Sequence, residues 1–250
     1  RNRNEQLIDY IEQNDTVTIS ELTDHFQLSP STVRRALEQL EKDGLVIRTH
    51  GGVKSLQIDK QLSLKISPNV NNLAAKNKIA LTARKLVKNG DVLAIGCGST
   101  TLFFAKSLHT AKDLTVITDS VYVAVELMEN KNIEVYLSGG FVHGTSGAVF
   151  SAQFGNLFQS SLVDKVFLGA DGISMASKSI TAMAHLTEAE RTLLTCGDKV
   201  YILADNSKFD KKTVIERLAT FHEFDYLVTD KKPSDQIIEK LKNSNVQLIY

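Results

Sequence analysis

Apolar residues in the first fifty positions recur every three or four residues and form three short groups. This spacing is typical of amphipathic helices, so the first group predicts a helix over residues 4–14. The second group begins at Thr18, which stands three residues before Glu21 and so has the spacing of a capping box. The third group predicts a helix over residues 30–42, because Ser29 is a favoured N-cap residue and a proline follows it.

The third predicted helix has one apolar side and one polar side. With about 100° between successive residues, the apolar side gathers Val33, Ala36, Leu37 and Leu40. The opposite side and its flanks carry Ser31, Thr32, Arg34 and Arg35. Arginine can bind guanine through two hydrogen bonds, and serine and threonine hydroxyls bind phosphate oxygens. The helix is therefore predicted to lie in the major groove of DNA.

The residues after the third helix read as a wing. Gly44 ends the helix, residues 45–48 predict a short strand, and residues 50–52 (His-Gly-Gly) predict its turn. The side chains of this segment that are expected to contact phosphates are Arg48, His50 and Lys54. The N-terminal segment is thus predicted to be a winged helix-turn-helix.

Charge leaves an alternative open for this segment. Through Lys54 it holds seven lysine and arginine residues against nine acidic residues, and non-specific DNA affinity grows with the number of phosphates neutralised. Three short amphipathic helices also suit a dimerisation or protein-docking module. Because the positive charges cluster on the third helix and the wing, the DNA-binding interpretation is favoured.

From residue 73 onward, helical spacing alternates with short runs that are apolar throughout. Such runs predict a parallel sheet covered by helices on both faces. The predicted strands are 92–95, 114–118, 133–137, 165–168, 199–204, 226–229 and 246–249. The predicted helices are 73–89, 100–108, 120–129, 152–160, 186–195 and 234–243. The fold class is α/β, with a DNA-binding domain at 1–56, a linker at 57–72 and a larger Rossmann-like effector domain at 73–250, built on a mostly parallel sheet.

In open parallel sheets, ligands bind beyond the carboxyl ends of the strands. After the first of these strands the chain reads Gly96-Cys97-Gly98-Ser99-Thr100-Thr101 and enters a helix. Glycines let the backbone curl around an anion, and amides at a helix start bind it. The alternative is a tight strand-to-helix turn capped by one hydroxyl, but three hydroxyl residues exceed what one cap needs. We call residues 96–101 the anion loop.

Other strand ends carry polar or glycine residues as well, and together they predict one ligand-binding rim. The predicted effector-binding residues are Gly96, Gly98, Ser99, Thr100, Thr101, Asp119, Gly139, Gly140, Asp171, Glu188 and Lys208. Lys208 is expected to pair with a phosphate, because a lysine ammonium is a compact cation that binds phosphate well.

Composition narrows the class of protein. The chain has 250 residues, 42% hydrophobic and 23% charged, with a formal net charge of +0, which is ordinary for a soluble globular protein. No stretch resembles a membrane span or a secretory signal. The two cysteines, Cys97 and Cys196, have neither metal-ligand nor redox spacing, so we expect reduced thiols, no metal and no cofactor.

The order of motifs resembles the DeoR family of bacterial repressors. The likeness rests on Ser31-Thr32-Val33-Arg34-Arg35, on the Gly-Leu-Val-x-Arg-x-His-Gly-Gly segment that ends at Gly52, and on the anion loop. Phe-Leu-Gly-Ala-Asp-Gly-Ile and Leu-Ala-Asp-Asn-Ser-Lys-Phe match further on. The chain departs from the family pattern at Ala36, His143 and Thr192. The resemblance implies a cytoplasmic bacterial repressor of carbohydrate catabolism that binds operator DNA as an oligomer and senses a phosphorylated sugar.

The second half is also similar to ribose-5-phosphate isomerase, which leaves an enzyme as the alternative function. That resemblance implies a Gly-Ala-Asp-Glu-x-Asp segment with carboxylates for proton transfer. Here Asp171 is retained, but the later acidic positions hold Gly172 and Ser174. A site that keeps an anion loop and lacks those carboxylates is predicted to bind a sugar phosphate without converting it, so no catalytic residue is assigned.

Overall fold

A computed structural model describes residues 3–14, 16–42, 45–49, 52–55, 72–144, 146–150, 163–183, 187–211, 216–242 and 244–250. The N-terminal part consists of helices α1 (Arg3–Gln13), α2 (Ile19–Phe26) and α3 (Pro30–Lys42) and strands β1 (Val46–Thr49) and β2 (Gly52–Ser55). The two strands are antiparallel, and Val17 joins them through two backbone hydrogen bonds with Val53, of 2.9 and 2.8 Å.

The N-terminal elements enclose a small apolar core of their own. The fully or nearly fully buried side chains are Leu7, Ile11, Val17, Leu22, Val33, Leu37, Leu40, Val46 and Val53. The capping box at the start of α2 is present: the Thr18 hydroxyl accepts from the Glu21 amide at 3.2 Å, and the Glu21 carboxylate accepts from the Thr18 amide at 2.6 Å. The predicted boundaries of α3 match those observed.

The larger part is built on a seven-stranded parallel sheet. In chain order its strands are β3 (Val92–Ile95), β4 (Leu114–Thr118), β5 (Ile133–Leu137), β8 (Val163–Gly169), β11 (Gly197–Leu203), β13 (Tyr226–Val228) and β14 (Gln247–Ile249). The spatial order is β14-β13-β11-β8-β3-β4-β5, so β3 and β8 lie at the centre and β5 at one edge. Every adjacent pair is parallel, as the continuously apolar strands predict.

Helices cover both faces of this sheet. They are α4 (Leu73–Arg84), α5 (Ser99–Ser107), α6 (Val121–Met128), α7 (Thr187–Leu194) and α8 (Asp235–Lys242). Side chains alternate between the faces: Leu93 and Ile95 pack with α4, α5 and α6, while Ala94 packs with α7 and α8. The two resulting cores sandwich the sheet, which confirms the α/β class.

Some strands lie outside the main sheet. Strands β9 (Gly172–Ser174), β10 (Ser179–Ala182) and β12 (Glu216–Thr220) form an antiparallel sheet in the order β12-β10-β9, and β6 (Phe141–Val142) pairs with β7 (Val149–Phe150). The sequence reading missed all five, because β6 and β7 are only two residues long and because β9, β10 and β12 mix polar with apolar residues.

One predicted helix is shorter in the structure, and another lies outside the described residues. Helix α4, the first helix of the larger part, ends at Arg84 rather than at residue 89, because residues 85–90 turn back and the Gly90 amide donates to the Asp113 carbonyl at 2.9 Å. The predicted helix 152–160 lies outside the described residues, as does most of the predicted linker. No helix in the described ranges combines the length and the apolar character needed to cross a membrane.

Candidate functional site

The polar side of α3 is exposed in the way a DNA-reading surface requires. Ser31, Arg34 and Arg35 are exposed and Thr32 is half-buried, while Val33 and Leu37 turn into the core. Within the described part of the chain, neither arginine has an ion-pair partner. We call Ser31, Thr32, Arg34 and Arg35 the recognition face.

The hydroxyl groups of the recognition face are organised by Ser29. Its Oγ accepts from the Thr32 amide at 3.2 Å, which is the N-cap bond expected from the sequence. The same Oγ lies 2.9 Å from the Ser31 Oγ and 2.8 Å from the Thr32 Oγ1. The two hydroxyls are therefore held at the start of α3, where they are positioned for phosphate contacts.

The wing cations lie beside carboxylates. The Arg48 guanidinium lies 3.6 Å from Glu38 and 3.4 Å from Glu41, both on α3. The Lys54 Nζ lies 3.7 Å from the carboxylate of Glu129, at the end of α6. His50, the third predicted wing contact, lies outside the described residues. A phosphate that binds Arg48 therefore competes with two acids that the sequence reading did not connect to it.

The anion loop has the backbone geometry of a cradle. Gly98 has φ +153°, in a region that favours glycine, and no side chain caps the first amides of α5. The Thr101 hydroxyl donates to the Gly98 carbonyl at 2.9 Å instead of accepting from an amide. The predicted alternative, a turn closed by one serine or threonine cap, is absent at this helix start. The free amide ends and the positive end of the helix dipole suit an anion.

Gly96 lies close to the central strand and to α7. A Cβ there would lie 2.5 Å from the end of the Leu168 side chain, which would have to move, and 3.7 Å from Oε1 of Glu190. The Gly96 amide donates to the Phe167 carbonyl at 3.0 Å, which ties the loop to the central strand β8. The loop backbone therefore packs closely against β8 and α7.

Two fully buried carboxyl groups lie next to the anion loop. Burial raises the pKa of Asp119 to about 7, and the nearby amides of Asp119 and Cys97 oppose that shift. Burial raises the pKa of Glu190 well above its usual value, and the charges of Asp119 and Asp171 add to the effect. Asp119 was predicted from its place after β4, but Glu190 was missed because an acid on an amphipathic helix reads as a surface residue.

A second group of charges lies beyond β8 and β11. The Lys208 Nζ is 4.0 Å from Oδ1 of Asp171. Lys76 of α4 is buried, and its pKa falls to about 8, mainly through burial and then through the charge of Lys208, while Asp205 and Asp171 oppose the shift. Lys76 was missed by the sequence reading, and Asp205 was noted only as part of the polar segment that contains Lys208. The available signal was that Lys76 occupies the apolar stripe of α4, which includes Ile79 and Ala83.

The remaining predicted site residues are placed differently. Gly139 and Gly140 are exposed beyond the end of β5, and no described contact joins them to the anion loop. Glu188 begins the first turn of α7, but its side chain is not described. The loop between β6 and β7 does reach the site, since the Cys97 thiol donates to the Ser146 carbonyl at 3.3 Å.

The comparison with known families covers both parts of the chain. A model described as the DeoR C terminal sensor domain matches residues 71–231, and one described as the DeoR-like helix-turn-helix domain matches residues 3–59.

Individual proteins resemble the chain over nearly its whole length. It is 31% identical over 244 residues to the HTH-type transcriptional regulator GolR of Listeria innocua serovar 6a, covering 98% of this chain and 96% of GolR. It is 25% identical to the glycerol-3-phosphate regulon repressor of Escherichia coli strain K12, covering 98% and 97% of the two chains. Among solved structures, ribose 5-phosphate isomerase A from Methanocaldococcus jannaschii is similar with a TM-score of 0.41 and 23% identity, over 55% of this chain and 54% of the isomerase.

Proposed function

The chain belongs to the DeoR family of helix-turn-helix transcriptional regulators, and from that premise we propose that it represses a carbohydrate catabolic operon under the control of a phosphorylated sugar. It is a DNA-binding regulator and not an enzyme. The observation that carries the proposed effector is the anion loop, where an uncapped helix start meets Gly98 in a glycine-favoured conformation. The relative named as a glycerol-3-phosphate regulon repressor supports a phosphorylated ligand.

The proposed operator contacts are Ser31, Thr32, Arg34, Arg35, Arg48, His50 and Lys54. The arginines of the recognition face are exposed and project away from the apolar core of the N-terminal part, which we call the head. They therefore suit base edges in the major groove. The hydroxyls held by Ser29 suit phosphates. We propose a bacterial cytoplasmic location, because operator DNA and phosphorylated sugars would both be met there.

For the effector we propose the anion loop, Asp119, Gly139, Gly140, Asp171, Glu188 and Lys208 as contacts, and we add Lys76. Lys76 and Lys208 are coupled through their charges and lie in one group with Asp171 and Asp205. A phosphate dianion is the ligand that would stabilise two neighbouring ammonium groups.

Thermal unfolding against a panel of sugar phosphates and their unphosphorylated parents tests the effector. A ligand at a hundred times its Kd adds about 2.7 kcal/mol to the free energy of unfolding. We expect stabilisation by one phosphate but not by its parent, and loss of that stabilisation in Lys208→Met. Stabilisation by the parent alone would contradict the proposed ligand class.

We propose that effector binding changes the spacing of two DNA-binding heads in an oligomer. A two-fold operator matches paired heads, and a single head reads only a short half-site. Effector and DNA affinities are then reciprocally coupled. Equal operator affinity with and without a saturating effector would refute this mechanism. The domain limits we propose are 1–56 for the head, 57–72 for the linker and 73–250 for the sensor.

Exposed apolar side chains near one edge of the main sheet are the proposed contact between copies of the chain. Of the eight large hydrophobic side chains exposed in the described ranges, six lie within residues 125–142, and we call them the edge patch: Val125, Met128, Tyr136, Leu137, Phe141 and Val142. Strand β5 ends the main sheet here, so its outer edge is open to pairing among the described strands.

Light scattering after size exclusion tests the edge patch. We expect Tyr136→Glu combined with Phe141→Glu to reduce the oligomer to monomers, because two buried charges would oppose the contact. Tyr250→Glu is the matched control, since Tyr250 is equally exposed but lies outside the patch. An unchanged mass for the double variant would place the contact elsewhere.

A further inference from the structure

The effector site contains two carboxyl groups that phosphate recognition does not explain. Asp119 follows β4 and is 0% exposed, and Glu190 lies on α7 and is 2% exposed. Both oxygens of Asp119 and Oε2 of Glu190 are buried without a hydrogen-bond partner among the described residues. Buried carboxyl groups in proteins are normally paired or hydrogen-bonded, so this pair calls for a functional reason.

The position of the pair relates it to the anion loop. The Cβ that a side chain at Gly96 would add lies 3.7 Å from Oε1 of Glu190, so this carboxyl group faces the loop backbone directly. Asp119 lies near the Cys97 amide, and its charge interacts with those of Glu190 and Cys97. The two acids therefore lie on the side of the loop that faces the protein interior, which we call its inner side. Asp119 reaches it from the end of β4, and Glu190 reaches it from α7.

The two residues on either side of Asp119 have hydroxyl groups that are hydrogen-bonded within the protein. The Thr118 hydroxyl donates to the Ile95 carbonyl at 2.6 Å, and the Ser120 hydroxyl accepts from the Val123 amide at 3.3 Å. Asp119 stands between these two residues. The amides of Asp119 and Cys97 lie near its carboxyl group and favour its charged form, but neither reaches an oxygen with the geometry of a hydrogen bond.

We propose, on the basis of the function proposed above, that Asp119 and Glu190 form a carboxyl pair that hydrogen-bonds the hydroxyl groups of the effector. The ligand is then a polyhydroxylated phosphate whose hydroxyl-bearing carbons lie on the inner side of the anion loop. Sugar hydroxyls both donate and accept, so they satisfy an ionised carboxylate or a neutral carboxylic acid. Asp119 and Glu190 are the residues that distinguish such a ligand from a simple phosphate.

The electrostatics of the site agree with this assignment. Two ionised carboxylates would repel a phosphate held by the anion loop. Burial raises the pKa of both groups, so each keeps its proton to a higher pH than a carboxyl group in water does. A protonated carboxyl group donates one hydrogen bond and does not repel the phosphate.

The test compares ligand preference in the full-length chain by titration calorimetry. The probes are inorganic phosphate, glycerol 3-phosphate, ribose 5-phosphate, 2-deoxyribose 5-phosphate, fructose 1-phosphate and glucose 6-phosphate. The variants are Asp119→Asn and Glu190→Gln, which preserve shape and remove the acid. The matched control is Glu126→Gln, because Glu126 is a partly buried acid of α6 whose carboxylate has a partner, His109, at 2.7 Å.

We expect the wild-type chain to bind one polyol phosphate at least about tenfold more tightly than inorganic phosphate, since a site built to bind hydroxyls rejects ligands that lack them. Asp119→Asn and Glu190→Gln should lower that preference about tenfold, while inorganic phosphate binds at least as tightly as it does to the wild type. Glu126→Gln should keep the wild-type preference.

The outcomes separate this inference from the proposed function. If both variants keep the wild-type preference, the carboxyl pair is structural and the inference is overturned, while a phosphorylated effector stands. If no phosphate binds the wild-type chain, or Lys208→Met binds every probe as well as the wild type does, the proposed phosphate site is wrong and the pair has no such ligand. If one of the two variants fails to fold, the other still tests the inference. Each carboxyl group is predicted to contribute part of the preference for a polyol phosphate over inorganic phosphate.

Discussion

The two candidate binding regions satisfy their polar groups in opposite ways. On the recognition face, the hydroxyls of Ser31 and Thr32 are linked to Ser29, and Arg34 and Arg35 stand in solvent. In the sensor, Asp119 and Glu190 are enclosed and lack partners among the described residues. The hydroxyls of the recognition face are thus held in place before DNA binds, whereas the carboxyl pair of the proposed effector site still lacks hydrogen-bond partners. Effector binding is therefore expected to supply new hydrogen bonds to buried groups, and DNA binding to use groups that are already positioned.

The largest expected effect comes from a substitution in the core of the head, which should affect one region and leave the other intact. Leu37→Ala removes a fully buried side chain of α3 and should destabilise the head by about 2–5 kcal/mol. We expect operator binding to be lost while effector binding to the sensor persists, as read by gel shift and calorimetry on the same sample. Loss of effector binding as well would show that the two regions fold as one unit.

The next effect is a pH dependence that belongs to the sensor. The pKa of Asp119 is raised from 3.8 to about 7 in the folded chain, so the folded state holds a proton that the unfolded state releases between those values. The free energy of unfolding without ligand should therefore fall by on the order of a few kcal/mol as pH rises from about 4 to about 7.

Denaturant unfolding at several pH values measures this dependence. Asp119→Asn should flatten the curve between pH 4 and 7, because it removes the titrating group. Glu190→Gln should remove a further part of the pH dependence, since burial raises the pKa of Glu190 as well. A wild-type stability that rises over this interval would contradict the assignment of unpartnered buried carboxyls.

On the DNA side, Arg35→Ala should weaken operator binding by about 1–3 kcal/mol and leave effector binding unchanged, because the side chain is exposed. Lys78→Ala, which removes an exposed cation from α4, is the control and should leave operator affinity as it is. Fluorescence anisotropy at fixed salt gives both values. Equal losses in the two variants would indicate a general electrostatic effect rather than base recognition.

The smallest effect concerns the capping box. Thr18→Ala removes the hydroxyl that accepts from the Glu21 amide and should lower head stability by about 1 kcal/mol. Thermal unfolding with a far-ultraviolet circular dichroism signal should show an earlier transition of the head alone. A shift in the effector-bound transition would mean that the head stabilises the sensor.

The sequence was sufficient for elements whose signal is local. Strands β3, β4 and β5 have their predicted boundaries, because each is rich in apolar or β-branched residues and is followed by glycine or polar residues. Helix α4 was predicted to be too long, because Leu86 and Val87 continue the apolar pattern. In the structure these two residues pack against the core, but they lie after the end of the helix. Periodicity alone does not distinguish the two cases.

The candidate site was only partly predictable, since its other members come from distant segments. Lys76 and Glu190 lie on amphipathic helices, where a charged residue ordinarily faces water. Only the packing of α4 and α7 against the sheet shows that both are enclosed. The small antiparallel sheet was missed for a similar reason, because β9 and β10 are short and half polar in sequence.

The neutralised wing arginine has a consequence for how the regulator finds its operator. Arg48 lies between Glu38 and Glu41, so a passing phosphate must displace two carboxylates before it gains that cation. Binding to DNA of arbitrary sequence therefore gains less free energy from Arg48. At the operator, the base contacts can offset the cost of displacing the two carboxylates. The protein would be released quickly from the bulk of the chromosome and retained where the sequence is right.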